Sequence, residues 1–448
     1  MVGRRLLSRS AGTSRRPWRR AWQTAAAAAM VWSSGATLAR EPVFLAGADM
    51  SHVQFFEDRG AVYRENGQPA NAFEILRRQG LNCVRLRLFT SSAAQAAADP
   101  YNAINNLDYT LPLARRARAA GHQLLLNFHY SDSWADPGKQ RLPAAWTNLS
   151  FSELLGELRA YNSNVLASFA AAGIVPEYVQ VGNEITQGML WPHGHVGGTN
   201  DTPLQWAKLG QLLRAAIQGI RDAVPTGGPQ IMIHIDRGGD WAGTRWFFDR
   251  LQAQNVPFDL IGLSYYPFWH GSLTDLRNTL TNAALRYRKP IVVVETAFPF
   301  SGSTNVWGIP ATTNGQVEYV IALAEVVNSV PLRLGRGIFW WGAEYQSLPG
   351  YRLAGFDLRS LFGPGGNVLP AAAALGRLTT PLRLEARLAE PELLLSWPLS
   401  GAGFSLVSAT SLAPHSLWHP VTAPVLAEEL QYHTRVPLED GPRFFRLQ

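Results

Sequence analysis

The sequence predicts an α/β chain folded as a (β/α)8 TIM barrel, followed by a small all-β module. Three observations carry this expectation. Short apolar runs alternate with longer helical patterns from about residue 44 to residue 374. Eight such runs can be counted, which is the number that closes a barrel. Seven of them end in polar or aromatic residues, which a purely structural strand end does not require. A doubly wound open sheet is the rival arrangement, but no Gly-rich phosphate loop follows the first run.

The chain begins with a segment, residues 1–39, that reads as an export signal. Arg4, Arg5, Arg9, Arg15, Arg16, Arg19 and Arg20 precede the apolar run AWQTAAAAAMVW, and small residues then allow cleavage after Ala36 or Ala39. Ser14-Arg15-Arg16 hints at a twin-arginine signal. The run is too short to span a membrane, so a secreted product, extracellular or periplasmic, is expected. Those seven arginines match the formal net charge of +7, so the remaining chain is near neutral and nucleic acid is not an expected partner. The lone cysteine, Cys83, lies in an apolar strand pattern and reads as core; a chain of 448 residues needs no disulfide staples.

The barrel domain is expected over residues 40–378. Strands are predicted at 44–47, 82–88, 123–128, 178–181, 231–235, 260–264, 291–294 and 337–341, with helices such as 70–79, 152–172, 204–224, 244–254 and 316–329 between them. The second strand ends in Arg85-Leu86-Arg87, the third in His129-Tyr130-Ser131-Asp132 and the fourth in Asn183-Glu184. The fifth ends in His234-Ile235-Asp236, the sixth in Tyr265-Tyr266, the seventh in Glu295 and the eighth in Trp340-Trp341. In a barrel all of these ends open on one face. After Thr379-Thr380-Pro381 the pattern changes to short alternating segments, LRLEARL, LLLSWPL, GFSLVSA and PRFFRLQ, which predict a β-rich module over 382–448. Its aromatics Trp397, Phe404, Trp418, Phe444 and Phe445 read as the module's own core.

Glu184 and Glu295 are the chemistry-bearing pair. Two carboxylates facing each other across a barrel mouth are what glycosidic hydrolysis needs: one carboxylic acid protonates the leaving oxygen and one carboxylate meets the anomeric carbon. A nucleophile at Glu295 must stay ionised and therefore needs donors, either Arg87 or Arg85 and either Tyr265 or Tyr266. Glu184 needs the opposite, a raised pKa, and repulsion from Glu295 supplies part of it. Asn183 is placed to reach a sugar 2-hydroxyl. Metal chemistry is disfavoured: His193, His195, His129 and His234 are not accompanied by a His-Glu-x-x-His pattern or paired cysteines, and no G-x-S-x-G turn supports serine chemistry. Taken alone, these residues predict a retaining glycosidase.

The chain from Gly47 to about Ala374 also resembles glycoside hydrolase family 53, the arabinogalactan endo-β-1,4-galactanases. GADMSHVQFFEDRG, LNCVRLRLF, NFHYSDSWADPGKQ, YVQVGNEITQGMLWPHG, FDLIGLSYYPFWHGSL, RYRKPIVVVETAFPF and GIFWWGAE occur in the family's order. The resemblance implies a secreted endo-β-1,4-galactanase acting on the β-1,4-galactan of type I arabinogalactan. It implies Glu184 as acid/base and Glu295 as nucleophile, with Arg87, His129, Trp134, Asn183, Tyr265 and Trp341 around the reacting galactose. No cofactor is required, a polysaccharide is the partner, and a monomer is expected.

Two departures qualify the match. The eighth strand reads FWWGAEYQS where many relatives have a YWEPAW-like pattern. Bacterial members often carry calcium in a rim loop, but the 343–366 segment offers only Glu344 and Asp357 as obvious carboxylates, so structural calcium stays an open expectation. The module lies outside the resemblance, although its WHPV and FFRL elements are similar to β-rich tails of secreted bacterial enzymes. The alternatives are a β-mannanase or cellulase of the same clan, or a catalytically silent carbohydrate-binding protein.

Overall fold

The computed structural model describes residues 43–448 except 352, 429, 439 and 440. The segment read as an export signal therefore lies outside the described residues. Eight parallel strands close a barrel: β1 (Leu45–Asp49), β2 (Cys83–Leu88), β3 (Gln123–Phe128), β4 (Tyr178–Val181), β5 (Gln230–Ile235), β6 (Leu260–Ser264), β7 (Ile291–Thr296) and β8 (Gly335–Trp340). Each pairs with its neighbours in sequence, and β1 pairs with β8 to complete the ring. Predicted and observed strands agree to within two residues at either end.

A longer helix follows each strand: α1 (Ala72–Arg78), α2 (Leu107–Ala119), α3 (Phe151–Ala171), α4 (Pro203–Ala223), α5 (Trp241–Ala253), α6 (Leu273–Tyr287), α7 (Thr313–Asn328) and α8 (Pro370–Arg377), with short extra helices at Val53–Glu57 and Ala93–Ala98 in the first two connections. Their starts are written in the sequence. Ser150 with Glu153 and Ser272 with Asp275 form reciprocal capping boxes at α3 and α6, and Thr202 caps α4 with Pro203 in its first turn. The apolar faces of these helices pack on the outward side chains of the strands and build the large core between the two layers.

The barrel interior is organised differently. Its lower half is a separate apolar cluster of Leu45, Cys83, Leu125, Met232, Leu260, Val292, Val294 and Phe339. Going up the same strands by the period of two, inward positions turn polar: Cys83 gives way to Arg85 and Arg87, Leu125 to Asn127, and Met232 to His234. The stave bottoms are therefore hydrophobic filler, and the tops form a buried polar layer that opens upward into the cleft.

Beyond α8 the C-terminal residues form two small antiparallel sheets. One orders Glu385–Ala389, Glu392–Pro398, Gln431–Pro437 and Leu426–Glu428; the other orders His419–Pro420, Leu406–Ala409 and Phe444–Leu447. They rest on α7, where the Tyr432 hydroxyl donates to Glu325 (3.1 Å) and Asn328 donates to the Ser400 carbonyl (3.4 Å). Trp397 is buried and stacks on Tyr432. Phe404, Trp418, Phe444 and Phe445 are only half-buried, and Trp418 carries the Arg446 guanidinium 4.1 Å from its ring. The expected aromatic core of the module thus centres on Trp397, because its sheets are too small to enclose five large rings.

Gly47 lies inside the barrel beside Phe339, and a Cβ there would stand 2.2 Å from the Phe339 ring. Gly47→Ala is expected to destabilise the fold by about 1–3 kcal/mol through overpacking. Thermal unfolding should register it, and Gly47→Ala combined with Phe339→Leu should recover part of the loss.

Candidate active site

The polar layer is organised by Arg85, which is fully buried. Its Nη1 binds Asp49 (2.9 Å), its Nη2 binds Glu295 (2.7 Å) and the Asn183 side-chain oxygen Oδ1 (2.8 Å), and its Nε donates to Gln180 (3.2 Å). A planar guanidinium suits this because its donors are fixed in direction. Four residues from β1, β7 and the β4 stave and its end are thereby set against one another.

Glu295 reaches the cleft by a backbone irregularity. Val292 and Val294 both belong to the interior cluster, so strict alternation would turn residue 295 outward to the helices. Pairing of β7 with both neighbours shifts register around Val294 and Glu295, and the Glu295 carboxylate faces inward while Thr296 bonds Tyr319 of α7. Besides Arg85, Glu295 accepts from the Tyr266 hydroxyl at 3.1 Å. Burial lifts its carboxyl above the ordinary range, with Asp49 adding to that push and Arg85, Tyr266 and Arg87 opposing it.

Glu184 is placed by a different device. Gly182 leaves β4 at φ 86°, and Glu184 itself adopts a left-handed conformation at φ 47° and ψ 49°. Such a backbone costs roughly 1–2 kcal/mol for a residue with a Cβ, a strain that points to function. The Glu184 amide and the Gln180 side chain both donate to His234 Nδ1, which leaves the ring proton on Nε2, 2.8 Å from Ser264 Oγ. The Ser264 hydroxyl then donates to Glu184 Oε1 at 2.7 Å. Burial, followed by repulsion from Glu295, holds the Glu184 carboxyl well above the usual range, and only the Ser264 bond and Arg85 counter it. The two glutamates are therefore unequal: Glu295 has a direct ion pair, and among the described residues Glu184 has none.

Both open into one cleft of about 610 Å³. Of the residues expected there, Arg87, His129, Trp134, Asn183 and Trp341 line it with the two glutamates. Arg87 packs its guanidinium 4.3 Å from the Trp134 ring and contacts His52 Nδ1 at 2.6 Å, while its Nε and Nη1 have no protein partner. His129 accepts the Ala135 amide at Nδ1, and burial with Arg85 and Arg87 nearby keeps the ring neutral. The Asn183 amide nitrogen donates to the Ala135 carbonyl (2.8 Å) and its oxygen accepts from Arg85 and Asn127, so the group is held rigidly.

Tyr265 is not brought to the cleft. Its hydroxyl donates to the Gly271 carbonyl beneath the β6 loop, and Tyr266 stands beside Glu295 instead. Strand parity accounts for this correction: Leu260 and Ser264 point inward on β6, so the next residue turns away. The same parity could have singled out Ser264 from sequence. Asp49, His52, Asp236, Trp269 and Phe356 also belong to this constellation or its rim; the first four lie in stretches quoted above but were given no individual role there, and Phe356 lay in none.

Glu344 lies buried below the cleft, accepting the His52 amide at 2.7 Å. Burial, then repulsion from Asp49, lifts its carboxyl to about 8, with Arg87 opposing. Asp357 lies in the Phe356–Leu358 turn. Among the described residues no cluster of three His, Cys, Asp or Glu side chains is arranged to hold a metal. Among them, too, no helix is long and apolar enough to cross a membrane.

Comparison with known proteins matches the family model "Glycosyl hydrolase family 53" over residues 45–375. An arabinogalactan endo-β-1,4-galactanase of Humicola insolens is 35% identical over 346 residues, covering 74% of this chain and 98% of that protein. A Niallia circulans protein of no stated activity, encoded in a bgaB 5′ region, is 41% identical over 67% of this chain and 84% of its own. Among solved structures, a fungal β-1,4-galactanase superposes with a TM-score of 0.66 at 32% identity, covering 75% of this chain and 99% of that one. The Ignisphaera aggregans GH53 catalytic domain gives 0.67 at 32% identity, covering 75% and 98%. The C-terminal sheets lie beyond the family match.

Removing Arg85 takes the direct ion pair from buried Glu295 and leaves buried Asp49 with only the longer Arg87 contact at 3.6 Å. Arg85→Ala is therefore expected to lower stability by about 3–5 kcal/mol in denaturant unfolding. A change below about 1 kcal/mol would mean that water enters the layer freely.

Proposed function

The chain belongs to glycosyl hydrolase family 53, and we propose that it is an exported endo-β-1,4-galactanase cleaving the galactan of type I arabinogalactan with retention. The observation that carries this reading is the inequality of the two cleft glutamates. The family match and the printed activity of the Humicola insolens relative support the reaction and substrate class. The arginine-rich start and the apolar run after it support export.

The mechanism follows from the proton distribution. Glu295, paired with Arg85 and Tyr266, is the carboxylate that attacks the anomeric carbon. Glu184 holds a proton because ionising it would bury a second negative charge beside Glu295. Since Ser264 donates to Oε1, the acidic proton is carried on Oε2 and passes to the leaving glycosidic oxygen. Once Glu295 is esterified its charge is gone, the repulsion on Glu184 falls, and Glu184 becomes the base that draws a proton from water. Asn183 has a second amide hydrogen for the sugar 2-hydroxyl, and the unpartnered Arg87 nitrogens offer donors to a further hydroxyl. Trp341 and Trp134 provide apolar faces for the ring. None of these steps uses a cofactor.

Reducing-sugar release should be strong on linear β-1,4-galactan and weak on mannan and cellulose; an inert wild type on galactan would sink the proposal. Glu295→Ala should lose turnover by roughly 10⁴-fold or more while still binding galactan. Proton NMR of early products should give the β anomer first, and an α anomer would reject retention.

The pH profile provides a separate check. The Ser264 bond stabilises ionised Glu184, so Ser264→Ala should raise the Glu184 pKa and move the alkaline limb of kcat/KM to higher pH. A limb that stays put or moves down would contradict the assignment of Glu184 as the acid.

A further inference from the structure

After β7 the chain forms a short hairpin in which Asn305–Val306 pairs with Ile309–Pro310, leaving Trp307-Gly308 as the two-residue turn. Both turn residues have positive φ, 56° at Trp307 and 85° at Gly308, which is the signature of a type I′ turn. Asn, Asp or Gly ordinarily fills the first of these positions. A bulky aromatic there is strained, and burial does not compensate, because Trp307 is 60% exposed. Its ring packs on no other aromatic ring among the described residues.

The indole is nevertheless fixed in place. Its N–H donates to the Pro267 carbonyl at 3.0 Å, tying the β7 hairpin to the loop that follows β6. Pro267 sits between Tyr266, the partner of Glu295, and Trp269, which lines the cleft and is itself 59% exposed. Aromatic surface therefore leads outward from the cleft, from Trp341 to Phe356 (4.2 Å) and Trp269 (6.4 Å) and then along the loop to Trp307. A tryptophan whose polar end is anchored and whose faces are open suits stacking on a pyranose ring. Galactose fits such a face, since its axial O4 leaves a continuous patch of C–H groups on one side of the ring.

We propose that Trp307 is an outer subsite that stacks a galactosyl residue distant from the scissile bond, giving the enzyme a preference for long chains. This rests on the galactan-cleaving reading above. The strain at the turn is then retained for binding, since remote contacts with substrate raise affinity for the polymer without touching the chemistry.

The test uses Trp307→Asn, which places the turn's favoured residue where the strained one stood. The variant should unfold at the same temperature as wild type or a higher one. On long linear galactan its KM should rise about fivefold with kcat unchanged, the scale of one lost aromatic stack. On p-nitrophenyl β-1,4-galactobioside, too short to reach the hairpin, both constants should stay at wild-type values. In affinity electrophoresis on galactan gels, Trp307→Asn in the Glu295→Ala background should be retarded less than Glu295→Ala alone. Unchanged KM on the polymer would overturn the inference while leaving galactanase activity intact. Equal losses on both substrates, or a lowered unfolding temperature, would make Trp307 a packing residue and also overturn it. A wild type inactive on galactan would instead reject the underlying reading.

Discussion

Everything at the mouth of this barrel depends on one buried guanidinium. Arg85 holds Asp49, Glu295, Asn183 and Gln180 at once, with no exposure to solvent. Desolvating a cation is costly, and the cost is offset because every nitrogen of its fork has a partner. The site's geometry is thus inseparable from its electrostatics: the group that ionises Glu295 is also the group that orients Asn183, next in sequence to Glu184. Such coupling makes the layer rigid before any substrate arrives, which is what electrostatic preorganisation requires.

The charge inventory of the layer follows from the same constraint. Arg85 and Arg87 contribute two positive charges below the cleft, against four carboxyl groups, Asp49, Glu184, Glu295 and Glu344. Burial disfavours the excess, so the carboxyls of Glu184 and Glu344 are pushed up toward the protonated form, which brings the layer nearer neutrality. The catalytic acid we propose at Glu184 thus arises as a by-product of charge balance.

Much of this was legible in the sequence. The barrel was readable because its staves are apolar runs of strand length, and β2 through β8 were bounded closely. Glu184 and Glu295 stood out as carboxylic acids ending such runs. What escaped had a common cause. Tyr265 and Tyr266 are adjacent, and only strand parity, set by which neighbour faces inward, separates them. Asp49 and Gln180 look like ordinary strand residues until Arg85 is placed between them. Trp307 gave no signal, because a type I′ turn with tryptophan violates the turn's own residue preference. Local patterns report elements well, but contacts between staves are properties of closure.

The two ways in which the glutamates reach the cleft also differ mechanically. Glu295 is delivered inside a hydrogen-bonded ladder, where the register shift is clamped by strands on both sides. Glu184 stands past the end of its stave, on a left-handed turn held by His234 and Ser264. One carboxylate is therefore embedded in a strand paired on both sides and the other is mounted on a short arm past a strand end. A nucleophile must hold its oxygen still while a bond to carbon forms and breaks, whereas an acid that becomes a base must follow first a departing sugar and then an arriving water. Under the mechanism proposed above, the irregularity in β7 gives the stationary role to the frame and leaves the travelling role to the arm.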